Sequence, residues 1–350
     1  MSKHLKTLAI DAFNVKSGGG VEHLNSFLSQ MITSFPEIKV FIFTNQTTKK
    51  SLPQTHHNFI YKTNKIIESN FFFYLIFQIF IYFPLKRLKA QALFVPGGIS
   101  INYYKNKILM SQNMLPFQRE ESKRFNVLYR LKFLLLKKMQ VFSFNTSKGV
   151  IFLSNFAKDF ILSHTRIKSY KVIPHGVNQQ PFSQRHPLSE IQILYVSPFL
   201  PYKHQDILIE AFKKLKNDQF NIKLVLAGGG FKNQILNAKK LAKNTSDIVF
   251  TSELSADRIH DLYKKSDIFV FPSTCENLPI TLLEAMNSSL PILASNTILN
   301  KEILGVNRSI YFDINDTIAL HNLLKNFISN PDLRKEEARY NYVLSEKFLW

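Results

Sequence analysis

A single cysteine, Cys275, stands in a chain of 350 residues, so no internal disulfide can form and the composition fits a reducing compartment. Cys275 has no evident base or second thiol beside it and reads as a small filler rather than a nucleophile. No Cys/His cluster has zinc spacing. Neither a G-x-x-x-x-G-K-[ST] loop nor a G-x-G-x-x-G fingerprint occurs. No apolar stretch reaches the roughly 20 residues that cross a bilayer. The basic segment Met1–Lys6 is followed by neither a long apolar core nor a small-residue cleavage site, so no secretory signal is expected and the protein is expected in the cytoplasm. Acidic residues are also scarce: 25 Asp and Glu face 45 Lys and Arg, a formal charge of +20.

What is present is enough for two cores. The apolar content is 45%, ordinary for a globular protein, and the length suits two domains. The positive charge is unevenly spread. Between Lys49 and Lys138 there are 16 Lys and Arg against 3 acidic residues, Glu68, Glu120 and Glu121. The same interval holds an apolar run, Phe71 to Phe83, broken only by Gln78 and followed by Lys86, Arg87 and Lys89. Two readings stand side by side. One is a buried helix. The other is a helix that enters the interface of an anionic membrane, with the basic residues on lipid headgroups. No recognition-helix or RNA-binding motif accompanies the charge, so nucleic acid is not an expected partner.

The chain is organised around residues 267–294. Ile268–Phe271 is a short apolar run of strand length, Ser273–Glu276 a polar loop, and Pro279 suits the first turn of a helix that carries Leu282, Leu283 and Met286 inward. A second apolar strand, Pro291–Ala294, follows. Strand–loop–helix–strand is the unit of a parallel sheet, and ligands bind beyond the carboxyl ends of such strands. Glu276 lies in the loop and Glu284 eight positions later on the helix. Backbone N–H groups of Asn277 and Leu278 near the helix start would attract a phosphate. Either carboxylate could accept from a sugar hydroxyl, a charge-assisted bond worth roughly 1.5–3 kcal/mol. From spacing alone, a solvated helix Glu plus a loop Glu is the commoner reading. Elsewhere, Ser17-Gly18-Gly19-Gly20 joins a first strand, Leu5–Phe13, to a helix from Glu22, a turn that lets backbone approach a phosphate or is merely flexible. Lys203 stands just before another helix, where its ammonium meets either a phosphate or solvent.

The words around the two glutamates narrow the choice. PSTCENLPITLLEAM resembles the E-x7-E signature of the family 4 glycosyltransferases (glycosyl transferases group 1), retaining enzymes of the GT-B fold. The resemblance is strong from Tyr170 to Ala294 and weaker before. It implies an α/β architecture of two Rossmann-like domains, with parallel sheets facing an interdomain cleft. Glu276 would hold donor-sugar hydroxyls, Glu284 the ribose, and Asn277 and Leu278 the diphosphate. Gly19 and Gly20 match the family's glycine-rich loop, and Lys203 matches its diphosphate-binding lysine, with Glu276 and Lys203 the catalytic pair. The family's companion Arg is replaced by Pro198. Where many members carry a His near the donor sugar, this chain has Gln112 and Asn113, amides that bond hydroxyls but are not general bases. Pro174-His175-Gly176-Val177 resembles the interdomain turn, with His175 a structural residue. Gly228–Gly230 are read as turn chemistry.

On this footing residues 1–180 form the acceptor-side domain, 190–335 the nucleotide-sugar domain, and 336–350, ending Phe348-Leu349-Trp350, the start of a truncated crossover helix. Asn178–Leu188, with two prolines, reads as the linker. No D-x-D sequence occurs, so no metal cofactor is expected. The implied reaction moves a sugar from a nucleotide diphosphate sugar to a lipid-linked or lipopolysaccharide glycan, at the inner face of the membrane. Two further readings are a catalytically inactive nucleotide-sugar-binding subunit of a polysaccharide-synthesis complex, motivated by Pro198 and the missing His, and a GT-B enzyme such as an epimerase. Binding without turnover distinguishes the first, and products formed without acceptor the second.

Overall fold

The computed structural model describes residues 5–16, 18–183 and 190–350. The Met1–Lys6 segment up to residue 4, Ser17 of the glycine turn and residues 184–188 of the expected linker lie outside the described residues. The chain divides into two compact units. One comprises residues 1–122 and 126–176, the other residues 123–125 and 177–350.

The first unit is built on strands β1 (Thr7–Ala12), β2 (Lys39–Thr44), β3 (Phe59–Lys62), β4 (Ala92–Val95), β5 (Lys107–Met110), β6 (Gly149–Phe152) and β7 (Tyr170–Val172). They pair in parallel in the order β3-β2-β1-β4-β5-β6-β7. Its helices are α1 (Gly19–Ser34), α2 (Gln46–Lys50), α3 (Lys65–Ser69), α4 (Phe71–Phe80), α5 (Tyr82–Arg87), α6 (Arg119–Lys123), α7 (Val127–Asn145) and α8 (Asn155–Leu162). The central strands read as unbroken apolar runs because helices cover both faces: Ile10, Val40, Ile42, Leu93 and Val95 are fully buried.

The apolar run Phe71–Phe83 is two helices rather than one, and its burial is reversed from the expectation of a core helix. Phe72, Phe73, Ile79 and Phe80 of α4 are exposed, whereas Tyr74 and Gln78 point inward. The cause is Asp11, a carboxyl walled into β1. Its Oδ2 accepts from Gln78 Nε2 and from the Tyr74 hydroxyl at 3.2 Å, and Oδ1 accepts from the Phe13 N–H at 3.4 Å. A buried carboxyl must find hydrogen-bond partners, and the polar side of α4 supplies them. Burial pushes the Asp11 carboxyl up to about 7. The network extends from Gln78 Oε1 to Asn102 Nδ2, 3.1 Å, and on to Ser100 Oγ, 2.7 Å.

The second unit carries β8 (Ile191–Val196), β9 (Ile222–Ala227), β10 (Ile248–Thr251), β11 (Ile268–Phe271), β12 (Ile292–Ser295) and β13 (Tyr311–Phe312), parallel in the order β10-β9-β8-β11-β12-β13. Its helices are α9 (Gln205–Asn217), α10 (Lys232–Leu241), α11 (Ala256–Lys265), α12 (Ile280–Asn287), α13 (Ile298–Leu304), α14 (Thr317–Ser329) and α15 (Pro331–Ser345). Every residue of β11 is fully buried, and Leu282, Leu283 and Met286 of α12 pack inward. Pro279 caps α12 rather than entering its first turn. Residues 178–183 are tied to this unit and are not a free linker: Asn178 O accepts from Asn287 Nδ2 at 2.5 Å, and Gln180 O accepts from the Tyr342 hydroxyl at 2.8 Å. The final helix begins at Pro331, five residues before 336, and packs on α12 and α14.

Candidate functional site

Two loops leave the carboxyl ends of neighbouring strands β8 and β11 in the second unit. The β8 loop passes through a 3-10 turn, Pro201–Lys203, then through His204 in the left-handed region (φ 49°) before α9 starts. A histidine there is uncommon, and the surroundings hold it. The His204 Nε2 lies 3.1 Å from Thr274 Oγ1, and the Thr274 N–H donates to Tyr202 O at 3.0 Å. The two loops are therefore bonded to each other.

This join brings two of the expected residues together. Lys203 Nζ and Glu276 Oε1 form an ion pair whose side chains are only 8% and 16% exposed. Ser273 Oγ donates to the same Oε1 at 2.6 Å. The Tyr195 hydroxyl, on β8, donates to Lys203 O at 3.0 Å and fixes the turn from beneath. Burial raises the Tyr195 phenol well above its ordinary value, and the Glu276 charge adds to the effect. Lys203 Nζ also lies 5.3 Å from the centre of the Tyr202 ring.

Glu284 is held separately on α12. Its Oε2 accepts from the Tyr263 hydroxyl at 3.0 Å, and that hydroxyl also lies 3.1 Å from Thr281 O. Tyr263, on α11, is 1% exposed, and burial with the neighbouring Glu284 charge raises its phenol well above the usual range. Asn277 and Leu278 sit in the bend before α12, both buried. The buried thiol of Cys275 lies in the same loop.

Sequence reasoning missed Tyr263, Ser273 and Tyr195. A tyrosine on an amphipathic helix or strand reads as core, and only the tertiary contact reveals its hydroxyl partner. It also underread Gly228 and Gly230. These have φ of 143° and 139°, and an added Cβ would lie 2.3 Å from Ser197 O and 2.4 Å from Phe199 N. The glycines let the β9 loop press against the β8 loop, so they are close-approach positions as well as turns. Pro198, where the resemblance leads one to expect Arg, offers its carbonyl to Gln205 Nε2 at 3.1 Å.

In the first unit, Gly20 and Gln112 are neighbours: a Cβ on Gly20 would lie 3.3 Å from Gln112 Oε1. Gly19 opens α1, and Gly18 before it has φ 64°. Asn113 folds its own loop, its Oδ1 accepting from the Leu115 N–H at 3.0 Å. His175 Nδ1 lies 2.8 Å from His23 Nδ1 on α1, both rings buried. Burial lowers His23 to about 4 and holds His175 well below its ordinary value, so both are neutral near pH 7. The pair fastens the end of this unit to α1.

Among the described residues, no group of three or more His, Cys, Asp and Glu is placed to hold a metal ion.

Comparison with known proteins covers both halves unequally. The family described as glycosyl transferases group 1 matches residues 177–343. The chain is 26% identical over 249 residues to the O-antigen chain mannosyltransferase RfbU of Salmonella typhimurium, covering 69% of this chain and 68% of RfbU. It is 24% identical over 177 residues to protein CapJ of Staphylococcus aureus, covering 50% of this chain and 45% of CapJ. The chain thus spans less than half of the second relative. In fold it is similar to sucrose-phosphate synthase from Thermosynechococcus elongatus: TM-score 0.77 at 15% identity, over 99% of this chain and 95% of that one. The α/β GT-B fold expected from the sequence is the one found.

Proposed function

From a chain whose residues 177–343 belong to the glycosyl transferases group 1 family, we propose a retaining glycosyltransferase that moves a sugar from a nucleotide diphosphate sugar to a lipid-linked or surface-polysaccharide glycan. Relatives such as the O-antigen mannosyltransferase support the acceptor class. The single observation that carries the reading is the buried Lys203–Glu276 pair at the strand-end loops. Without donor, the carboxylate neutralises the ammonium. When a donor arrives, its diphosphate replaces Glu276 on Lys203, and N–H groups of Asn277 and Leu278 join it. The released Glu276 then accepts from hydroxyls of the transferred sugar, while Glu284 accepts from the ribose. Gly19, Gly20, Gln112 and Asn113 are proposed donor contacts from the first unit. Charge growing on the leaving diphosphate is met by groups already in place, the arrangement that lowers a barrier most. The leaving phosphate takes the acceptor's proton, so no protein base is required. The ammonium supplies the positive charge, and turnover is expected to survive metal chelation.

The same reading makes the protein peripheral at the cytoplasmic face of an anionic membrane, where a lipid-linked acceptor is presented. Its support is the exposed apolar side of α4 followed by Lys86, Arg87 and Lys89. Among the described residues no helix is long and apolar enough to cross a membrane.

The test is transfer from a panel of uridine and guanosine diphosphate sugars to a membrane-extracted acceptor. Lys203→Ala and Glu276→Ala are each expected to lower kcat/KM by about a hundredfold or more. Removing one partner of a buried ion pair also destabilises, by about 3–5 kcal/mol, so melting is followed in parallel and Lys203→Met/Glu276→Gln serves as a folded control. Unchanged turnover in both single variants would defeat the site. Donor binding with no transfer or hydrolysis to any acceptor would instead identify a binding subunit.

A further inference from the structure

Helix α7 carries an apolar stripe on its outside. Leu128, Leu131 and Leu135 follow one another at three- and four-residue steps, with Leu134 beside them and Phe142 two turns on, and all are exposed, Leu128 at 77% and Leu131 at 59%. The opposite side, with Phe133, Gln140 and Phe144, is buried. A helix that packs on a sheet needs one apolar face; α7 has two. Arg130, Lys132 and Lys138 stand exposed among the outer leucines, and α7 contains no acidic residue.

The stripe shares a sheet face with α4. In the order β3-β2-β1-β4-β5-β6-β7, the β3-to-β4 and β5-to-β6 connections step the same way, and β1-to-β2 steps the other way. Right-handed crossovers therefore put α4 and α7 on one face and α1 on the other. Side chains agree. The Tyr74 hydroxyl of α4 lies 3.2 Å from Ile99 O, and Ser143 Oγ of α7 accepts from the Ser100 N–H at 2.9 Å. Both helices thus grip the same short loop, and both turn leucine, isoleucine or phenylalanine outward.

We infer that α7 is a second lipid-binding helix, lying with α4 in the headgroup region of an anionic bilayer. The inference rests on the membrane reading above and extends it to residues that the apolar run at Phe71–Phe83 did not include. Water is a poor neighbour for five large apolar side chains on one helix side. A bilayer interface removes them from water, and its anionic headgroups match the lysines and arginine beside them.

Flotation of the full chain with phosphatidylcholine vesicles, with and without phosphatidylglycerol, tests it. Wild type is expected to float with the anionic vesicles and to be released by salt. Leu131→Gln/Leu135→Gln is expected to weaken binding about tenfold or more, with melting unchanged because both positions are exposed. Arg130→Gln/Lys132→Gln/Lys138→Gln is expected to weaken it only on anionic vesicles. If Phe72→Gln/Phe80→Gln on α4 loses binding while the α7 variants float like wild type, the α7 inference is overturned and the membrane reading stands. If wild type does not float even at low salt, both fall. A second readout places Leu131→Trp on a Trp350→Phe background. Quenching by brominated lipid supports insertion, and unquenched emission from vesicle-bound protein contradicts it.

Discussion

At the scale of single residues, the account turns on how carboxylates are held. Glu276 and Lys203 were legible in the sequence because their neighbours form a recognisable phrase. Tyr263 was not, although its hydroxyl is 3.0 Å from Glu284. On the proposed reading, in which Glu284 accepts from the ribose, it acts through that carboxylate as a positioning residue. Tyr263→Phe deletes one hydrogen bond to a charged group, a loss of about 1.5–3 kcal/mol. Donor KM is expected to rise about tenfold or more with kcat nearly unchanged, the signature of lost uniform binding. A merely structural tyrosine would lower melting temperature and leave KM alone. Asp11 offers a second test. Its carboxyl is raised from 3.8 to about 7 by burial, so the folded state binds a proton that the unfolded state has released. The associated stability is fully present below pH 3.8 and is lost as pH rises through about 7. Asp11→Asn should match wild type near pH 4 and exceed it above pH 7 by up to about 4 kcal/mol, since one pKa unit is worth about 1.4 kcal/mol. Melting curves across that range read it directly, and a constant difference would contradict the buried neutral carboxyl.

At the scale of elements, short all-apolar strands such as Ile268–Phe271 could be read from pattern alone, because both faces of a parallel sheet are covered. Helix α4 could not. Its run of phenylalanines suggested a core helix as readily as an interfacial one, and the lone polar position, Gln78, looked like an interruption. The structure makes Gln78 the anchor and Phe72, Phe73 and Phe80 the surface, with Phe77 packed on Phe13, because a buried aspartate needs the polar side of the helix. Gly228 and Gly230 show the same limit: a glycine triplet signals a turn, but not which backbone it will touch. Gly230→Ala places a methyl against Phe199 at a positive φ. It is expected to destabilise by about 1–3 kcal/mol, read as a lower denaturant midpoint with an unchanged slope.

At the scale of the whole molecule, the two α/β units followed from length and from resemblance, whereas strand order and boundaries did not. The prolines of Asn178–Leu188 suggested a linker, yet residues 178–183 are bonded to the second unit through Asn287 and Tyr342. Residues 123–125 belong to the second unit too, with the Phe125 and Tyr202 ring centres 6.3 Å apart. Hydrogen bonds of this kind join positions more than a hundred residues apart, which local pattern does not register. The charge asymmetry was legible, and the structure adds where its apolar companions lie. The central claim is that Lys203 exchanges Glu276 for a diphosphate, and calorimetric titration with uridine and guanosine diphosphates against the matching monophosphates tests it most directly. Wild type should prefer one diphosphate by about tenfold or more, and Lys203→Met/Glu276→Gln should reduce that preference nearly to unity. An undiminished preference for the diphosphate in that variant would contradict the account.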